Sequence, residues 1–149
     1  MREEFTSTLK NMLAESQREA RASNQDFVGT EHLFLGILHC DGCEASKALA
    51  RSNVNREELT SKLQKLLPSG KAPPVVTGDL PLSPKAQRAV NGAIVRAQSM
   101  RQSKVSTRFV LLSLIDDPQT IIRDALRDSG ADVEQLQRIL AETPTEGEN

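Results

Sequence analysis

The sequence contains no tryptophan and no tyrosine, and only four phenylalanines among its 149 residues. A chain with so few aromatic rings has little on which nucleobases could stack. No stretch approaches the roughly 18 consecutive apolar residues that a membrane span requires. The two cysteines, Cys40 and Cys43, are too few for the disulfide framework of a small secreted domain. We therefore expect a cytoplasmic protein without a membrane segment.

An excess of charge of one sign is also missing. The 19 Lys and Arg residues nearly balance 20 Asp and Glu residues, so the net charge is −1 and nothing in it attracts a nucleic acid or an anionic membrane. The glycine-rich loop of nucleotide-binding proteins is absent, and no serine or cysteine lies in a recognisable nucleophile turn. The sequence therefore predicts no catalytic residues, no enzyme and no cofactor.

What the sequence does have is an internal repeat. The stretch "VGTEHLFLGIL", residues 28–38, matches "VSTRFVLLSLI", residues 105–115, at an offset of 77 residues, from Thr30 to Thr107. The same offset aligns further apolar positions without a gap, such as Leu13 with Val90 and Leu63 with Leu140. The chain therefore contains two copies of one structural repeat.

Each copy has the spacing of amphipathic helices. Apolar and small residues recur every three to four positions along one face, at Phe5, Leu9, Met12, Leu13, Ser16 and Ala20. Hydroxyl side chains mark four predicted helix starts: Thr6, Thr30, Ser83 with Pro84 behind it, and Thr107. The pattern predicts helices near residues 6–22, 30–39, 43–52, 55–67, 83–100, 107–115, 118–129 and 132–142.

The predicted fold is all-α, with eight helices arranged as two pseudo-twofold-related four-helix repeats. We expect one domain over residues 1–149: a first repeat at about 4–67, a surface linker at about 68–81, a second repeat at about 82–142 and a disordered tail at 143–149. A unit of about 60 residues is marginal alone, so the two repeats should pack together.

The motifs resemble a known family. Paired repeats that open with "FT" or "LSP", continue with "GTEH" and a Leu- and Gly-rich helix, and then carry "ASKAL" are similar to the Clp N-terminal domain of the Clp/Hsp100 AAA+ unfoldases. The resemblance covers about residues 4–142, and the ATPase domains of that family are not present in the sequence.

This resemblance implies a non-catalytic module that receives substrate or adaptor proteins for a Clp ATPase and protease machine. The chain would be either a stand-alone relative or the front of a longer ATPase. An alternative interpretation is an accessory subunit that docks on the Clp protease ring and stabilises or gates it without touching substrate.

In the ClpC-like branch the resemblance also implies phosphoarginine recognition, with Thr6 and Glu31 in one site and Ser83 and Arg108 in a second. A helix start and a hydroxyl suit a phosphate, and a carboxylate suits a guanidinium. Arg108 stands where an acid is expected, so we predict that the second site has lost this recognition. Arg108 either meets a carboxylate or is a tolerated surface residue.

Structural explanations compete with binding at several of these positions. Glu31 is favoured in a first helical turn by the helix dipole alone, by about 0.3–1 kcal/mol. The remaining candidates for ligand contact are Thr30, His32 and Thr107. For His32 the simpler explanation is a side chain that is hydrogen-bonded to backbone or to the other repeat. The "HCDGC" stretch, residues 39–43, offers zinc-type ligands, but His32 and His39 are about 10 Å apart along one helix, so we expect no metal site.

Overall fold

The computed structural model describes residues 4–67, 69–75, 77–142 and 147–149. Across these residues the chain forms eight α-helices and no strand, which confirms the predicted fold class. The helices are α1 (Ser7–Ala22), α2 (Thr30–Leu38), α3 (Glu44–Arg51), α4 (Arg56–Leu66), α5 (Pro84–Ser99), α6 (Thr107–Asp116), α7 (Ile122–Asp128) and α8 (Val133–Ala141). In the described part of the chain no helix is both long and apolar enough to cross a membrane.

The start of α7 differs most from the sequence-based prediction, which placed it near residue 118. The carboxylate of Asp117 accepts a hydrogen bond from Gln119 N at 2.9 Å, and the hydroxyl of Thr120 donates to Leu114 O at 2.9 Å. These side chains hold the backbone in a turn, so the helix begins only at Ile122.

Within each repeat the first two helices pack most closely, and a glycine makes this possible. In the first repeat Gly36 of α2 faces α1, where an added Cβ would lie 2.4 Å from Ser16 Oγ and 2.8 Å from Met12 O. In the second repeat the glycine lies on the other partner, because Gly92 of α5 faces Ser113 of α6. A larger residue at Gly36 would therefore meet the backbone of α1, whereas one at Gly92 would meet only side chains.

The two repeats share one core. Helices α2 and α6 lie at its centre, and both are buried on nearly every side. Helix α6 contacts α1, α2 and α3 of the first repeat as well as its own neighbours. The side chains of Phe34 and Phe109, which lie two positions apart in the repeat register, are both essentially inaccessible to solvent. Burying these faces against each other stabilises two units that would each be marginal alone.

Two short backbone bridges cross between the repeats and determine which helix starts lie together. Phe5 pairs with Val105, and Thr6 N donates to Val105 O at 3.0 Å. Val28 pairs with Leu82, and Ser83 N donates to Val28 O at 2.8 Å. The start of α1 therefore lies beside the start of α6, and the start of α5 lies beside the start of α2.

The segment between the repeats is only partly a surface connector. Val75 is 94% exposed, as the prediction requires, but Leu80 is 3% exposed. The side-chain amide of Gln17 brackets the backbone of Leu80, accepting from its N–H at 2.7 Å and donating to its carbonyl at 3.0 Å. The end of this segment is therefore fastened to α1. Residues 68 and 76 lie outside the described residues.

Candidate binding sites at the helix starts

Two of the four predicted hydroxyl caps are N-caps in the structure. Thr6 Oγ1 accepts from Leu9 N at 3.0 Å at the start of α1. Ser83 Oγ accepts from Ala86 N at 3.1 Å at the start of α5, with Pro84 in the first helical position. Both bonds satisfy a backbone N–H that has no partner inside the helix.

Thr30 and Thr107 do not cap their helices, and here the prediction was wrong by one residue. The N-cap positions are Gly29 and Ser106, and neither makes a side-chain cap bond. Thr107 Oγ1 instead accepts from Ala45 N at the start of α3, at 3.1 Å. The Thr107 hydroxyl is thus used for contact between repeats.

His32 supplies a reciprocal bond at the start of α2. Its Nδ1 accepts from Gly29 N at 2.9 Å, so the interpretation of His32 as a side chain bonded to backbone is confirmed. The residue is only 2% exposed, and its Nε2 has no hydrogen-bond partner among the described residues. Burial lowers the pKa of His32, and the nearby Glu31 carboxylate opposes this shift. Burial therefore favours the neutral form of the ring.

We call the first cluster the α1–α6 site; it consists of Thr6, Glu44, Thr107 and Arg108. The starts of α1, α3 and α6 meet here, and the carboxylate of Glu148 lies among them. Its Oε2 accepts from Thr6 Oγ1 and from Thr107 N, both at 2.8 Å. Its Oε1 accepts from Thr107 Oγ1 at 2.7 Å and from Glu44 N at 3.0 Å. Four donors from both repeats thus converge on one carboxylate.

Arg108 is buried in this site, not on the surface. The residue is 3% exposed, and its Nη1 donates to Leu140 O at 3.0 Å while its guanidinium lies 4.3 Å from the ring centroid of Phe109. Its Nε lies 3.6 Å from Glu44 Oε1. The surface interpretation was therefore wrong, and the alternative, that Arg108 meets a carboxylate, is confirmed. The sequence could not show this, because Glu44 is in the other repeat.

The electrostatics of this site are those of a crowded, dehydrated ion cluster. Burial raises the pKa of the Glu44 carboxyl, and the Glu148 carboxylate adds to the rise, whereas a hydrogen bond with Ser106 and the charge of Arg108 act against it. Burial lowers the pKa of Arg108, although both carboxylates oppose that change. One guanidinium therefore faces two carboxylates in a region of low dielectric.

The residues 147–149 differ from the prediction of a disordered tail. Besides the contacts of Glu148, the backbone oxygen of Asn149 accepts from Thr8 N at 2.7 Å and from Thr8 Oγ1 at 2.9 Å. The polar sequence suggested disorder because it has no apolar side chain to bury, but its anchor is a carboxylate on helix starts. Residues 143–146, the rest of the predicted tail, lie outside the described residues.

We call the second cluster the α2–α5 site; it consists of Thr30, Glu31 and Ser83. These residues are related to Thr107, Arg108 and Thr6 by the repeat. Ser83 lies beside Val28, immediately before α2, so the acid of the first repeat is grouped with the cap of the second. The pairing of Thr6 with Glu31, and of Ser83 with Arg108, was therefore wrong, because the two bridges exchange the helix starts between the repeats.

Within the described residues, the α2–α5 site lacks the carboxylates that Glu44 and Glu148 place in the α1–α6 site. Glu31 is half-buried, and its carboxylate makes no hydrogen bond or ion pair with a residue that the structure describes. The repeat equivalent of Glu44 is Ile121, which is 38% exposed. The carboxylate of Glu31 is thus available to a ligand that approaches the start of α2.

The cysteines have a structural place near these sites. Cys43 is the N-cap of α3, where its Sγ accepts from Ser46 N at 3.4 Å, and it is fully buried. Burial raises the pKa of the Cys40 thiol to about 12, with the neighbouring Cys43 adding to the rise. Among the described residues, the only group of three or more metal-type ligands that lies together is Glu15, Glu19 and His39, and it includes neither cysteine.

Comparison with known proteins agrees with this architecture. The model of the family "Clp repeat (R) N-terminal domain" matches residues 4–108 and 81–148. The chain belongs to this family. A homologue of the ATP-dependent Clp protease ATP-binding subunit ClpA from Cyanidium caldarium is 29% identical over 147 residues, which are 96% of this chain and 17% of that protein. The chain thus spans about a sixth of the length of this relative.

Solved Clp N-domains have the same fold. The N-terminal domain of ClpD from Arabidopsis thaliana superposes with a TM-score of 0.75 at 19% identity, over 91% of both chains. The complex of a ClpV N-domain with a VipB peptide superposes with a TM-score of 0.72 at 12% identity, over 96% of this chain and 91% of that one. At these identities the likeness concerns the fold alone.

Proposed function

We propose that this chain is a non-catalytic protein-binding module that presents substrate or adaptor proteins to a Clp ATPase. Membership in the Clp repeat N-terminal family supports this assignment, as does the name of the relative, an ATP-binding subunit of a Clp protease. A ClpV N-domain of the same fold holds a VipB peptide, which supports peptide binding as the mode of action.

The observation that carries the finer proposal is the unoccupied carboxylate of Glu31 at the α2–α5 site. A phosphorylated arginine needs an anion site next to an acceptor for its guanidinium. The start of α2 and the hydroxyl of Ser83 would hold the phosphate, because helix starts carry unpaired N–H groups and partial positive charge. Glu31 would then receive the guanidinium through paired hydrogen bonds.

The α1–α6 site is not available for this ligand in the same way. Arg108 already places a guanidinium against Glu44, and Glu148 already places an anion on the helix starts. The guanidinium of Arg108 and the carboxylate of Glu148 thus take the places that the guanidinium and the phosphate of a phosphoarginine would need. We therefore propose one phosphoarginine per chain, bound at the α2–α5 site.

Calorimetry with an arginine-phosphorylated peptide tests the finer proposal. The parent should bind one peptide, and Glu31→Gln should weaken binding at least about tenfold, since a charge-assisted bidentate pair is removed. Glu57→Gln is the matched control, because Glu57 occupies the same first-turn position of α4 and is exposed. The unphosphorylated peptide should not bind.

Two results would count against this ligand: no binding by the parent at millimolar peptide, or equal losses in Glu31→Gln and Glu57→Gln. The coarser role has a separate test. Immobilised chain should retain a Clp ATPase when the peptidase is absent. Retention of the peptidase alone, without ATPase, would favour an accessory subunit of the protease ring.

A further inference from the structure

The α1–α6 site already contains an anion, and the chain supplies it. The four donors to Glu148 come from the starts of three different helices, each at least eight residues long. Backbone N–H groups of Glu44 and Thr107 and the hydroxyl of Thr6 all point to one carboxylate. Convergent donors at helix starts are the arrangement by which proteins hold phosphate and carboxylate groups.

A second observation marks the same place as a ligand site. Arg108 is buried, yet its Nε has no hydrogen-bond partner among the described residues, and the same holds for Glu44 Oε1, which it faces at 3.6 Å. The positive charge of Arg108 acts on Glu148, whereas the charge of Glu44 repels it. Glu148 is therefore attracted to this site but shares it with a second carboxylate, which weakens its hold.

The backbone contacts next to Glu148 indicate which kind of ligand the α1–α6 site binds. The backbone oxygen of Asn149 accepts two hydrogen bonds from Thr8 in the first turn of α1, so the backbone that follows Glu148 also lies against the start of α1. A peptide with a glutamate followed by a backbone carbonyl that is free to accept hydrogen bonds would make the same contacts.

We propose that residues 147–149 are an internal occupant of the α1–α6 site, and that an acidic segment of a partner protein displaces them. A tethered segment competes at an effective concentration of about millimolar, so it closes the site to weak ligands and admits only an anionic peptide that binds better. The site concerned is separate from the α2–α5 site, so this inference stands whether or not phosphoarginine binds there.

Nuclear magnetic resonance on the full chain tests the inference through the backbone amides of Glu44 and Thr107. The variant is Glu148→Gln, which keeps the shape of the side chain but removes its charge. The control is Glu146→Gln, which removes one negative charge two residues away. The added ligand is the peptide Thr-Glu-Gly-Glu-Asn, the sequence of residues 145–149, with inorganic phosphate in a parallel titration.

In Glu148→Gln both amide resonances should move, and the added peptide should return them towards their parent positions. Peptide affinity should be at least about tenfold higher than in the parent, because a site that is closed nine-tenths of the time loses that factor in apparent affinity. Glu146→Gln should behave as the parent does. A response to phosphate but not to the peptide would show a plain anion site and would overturn the proposed partner class.

Equal peptide affinity in the parent and in Glu148→Gln would overturn the proposal. A measurement on the unaltered protein guards against a variant that fails to fold. Nuclear Overhauser contacts should join the side-chain protons of Glu148 to those of Thr6 and Thr107, and their absence would refute the internal occupant directly.

Discussion

The guanidinium of Arg108 and the carboxylate of Glu44 lie 3.6 Å apart, from Nε to Oε1, although the two residues belong to different repeats. The Arg108 side chain is 4% exposed and that of Glu44 is 9% exposed. Burying a charge pair in such surroundings costs desolvation free energy for both groups. Mutation of one partner alone is therefore strongly destabilising, because it leaves the other charge buried and unpaired. The pair therefore links the two repeats in a way that mutation can measure.

Removal of one partner should destabilise the domain strongly. Arg108→Met leaves the buried Glu44 carboxylate without its counter-charge, and we expect the free energy of unfolding to fall by about 3–5 kcal/mol in urea titrations. Adding Glu44→Gln to this variant should restore a large part of the loss, because the unpaired charge disappears. Simple addition of the two single effects would contradict a direct interaction between these side chains.

The buried imidazole of His32 should make stability depend on pH. Its pKa in the folded protein is lowered from the ordinary value of 6.5 because burial disfavours the charged form. The unfolded chain therefore binds a proton more readily, so this contribution is fully present above pH 6.5 and is lost as the pH falls below it, by at most about 1.4 kcal/mol per pH unit.

The parent should thus lose more stability between pH 7.5 and pH 5.5 than His32→Asn, whose amide oxygen can still accept from Gly29 N. Urea titrations of both proteins at the two pH values give the difference. Because Glu44 and other carboxyls titrate in both proteins, only the comparison reports on His32. Identical pH dependence in the two proteins would show that His32 does not contribute.

The two close helix contacts should respond differently to the same substitution. Gly36→Ala places a Cβ 2.8 Å from the backbone oxygen of Met12, which cannot move without shifting α1, so we expect a loss of about 1–3 kcal/mol. Gly92→Ala meets the side chains of Ser113 and Arg96, which can rotate away, and alanine gains up to about 1 kcal/mol in helix propensity. Thermal unfolding should therefore separate the two variants, and a larger loss in Gly92→Ala would be the contrary result.

The thiol of Cys43 should be replaceable by a better cap. Cys43→Ser retains an acceptor for Ser46 N at the start of α3, and we expect its melting temperature to stay within a few degrees of the parent. Cys43→Val removes the acceptor and should cost about 0.5–2 kcal/mol. The prediction of no metal site is tested on the same proteins: a chelator should leave the melting temperature unchanged, and stoichiometric zinc in the purified parent would contradict it.

Local signals in the sequence were sufficient for the helices. The repeat at Thr30 and Thr107 and the spacing of apolar residues fixed eight helices, because helical periodicity depends on neighbours three and four positions away. The caps Thr6 and Ser83 followed for the same reason, since each bonds a backbone N–H three residues on. Where a side chain binds a distant partner instead, as Thr107 does with Ala45, the local rule failed.

The sequence by itself thus determined the fold class and the repeated helix starts of this Clp N-terminal domain, and it singled out Glu31 and Arg108 as unlike members of one position. Only the tertiary structure decided which starts lie together. The bridges Phe5 to Val105 and Val28 to Leu82 exchange them between repeats, so that Arg108 is buried against Glu44 and Glu31 is left open beside Ser83. The contact of Glu148 with Thr6 joins positions 142 residues apart, and no local pattern encodes such a pair.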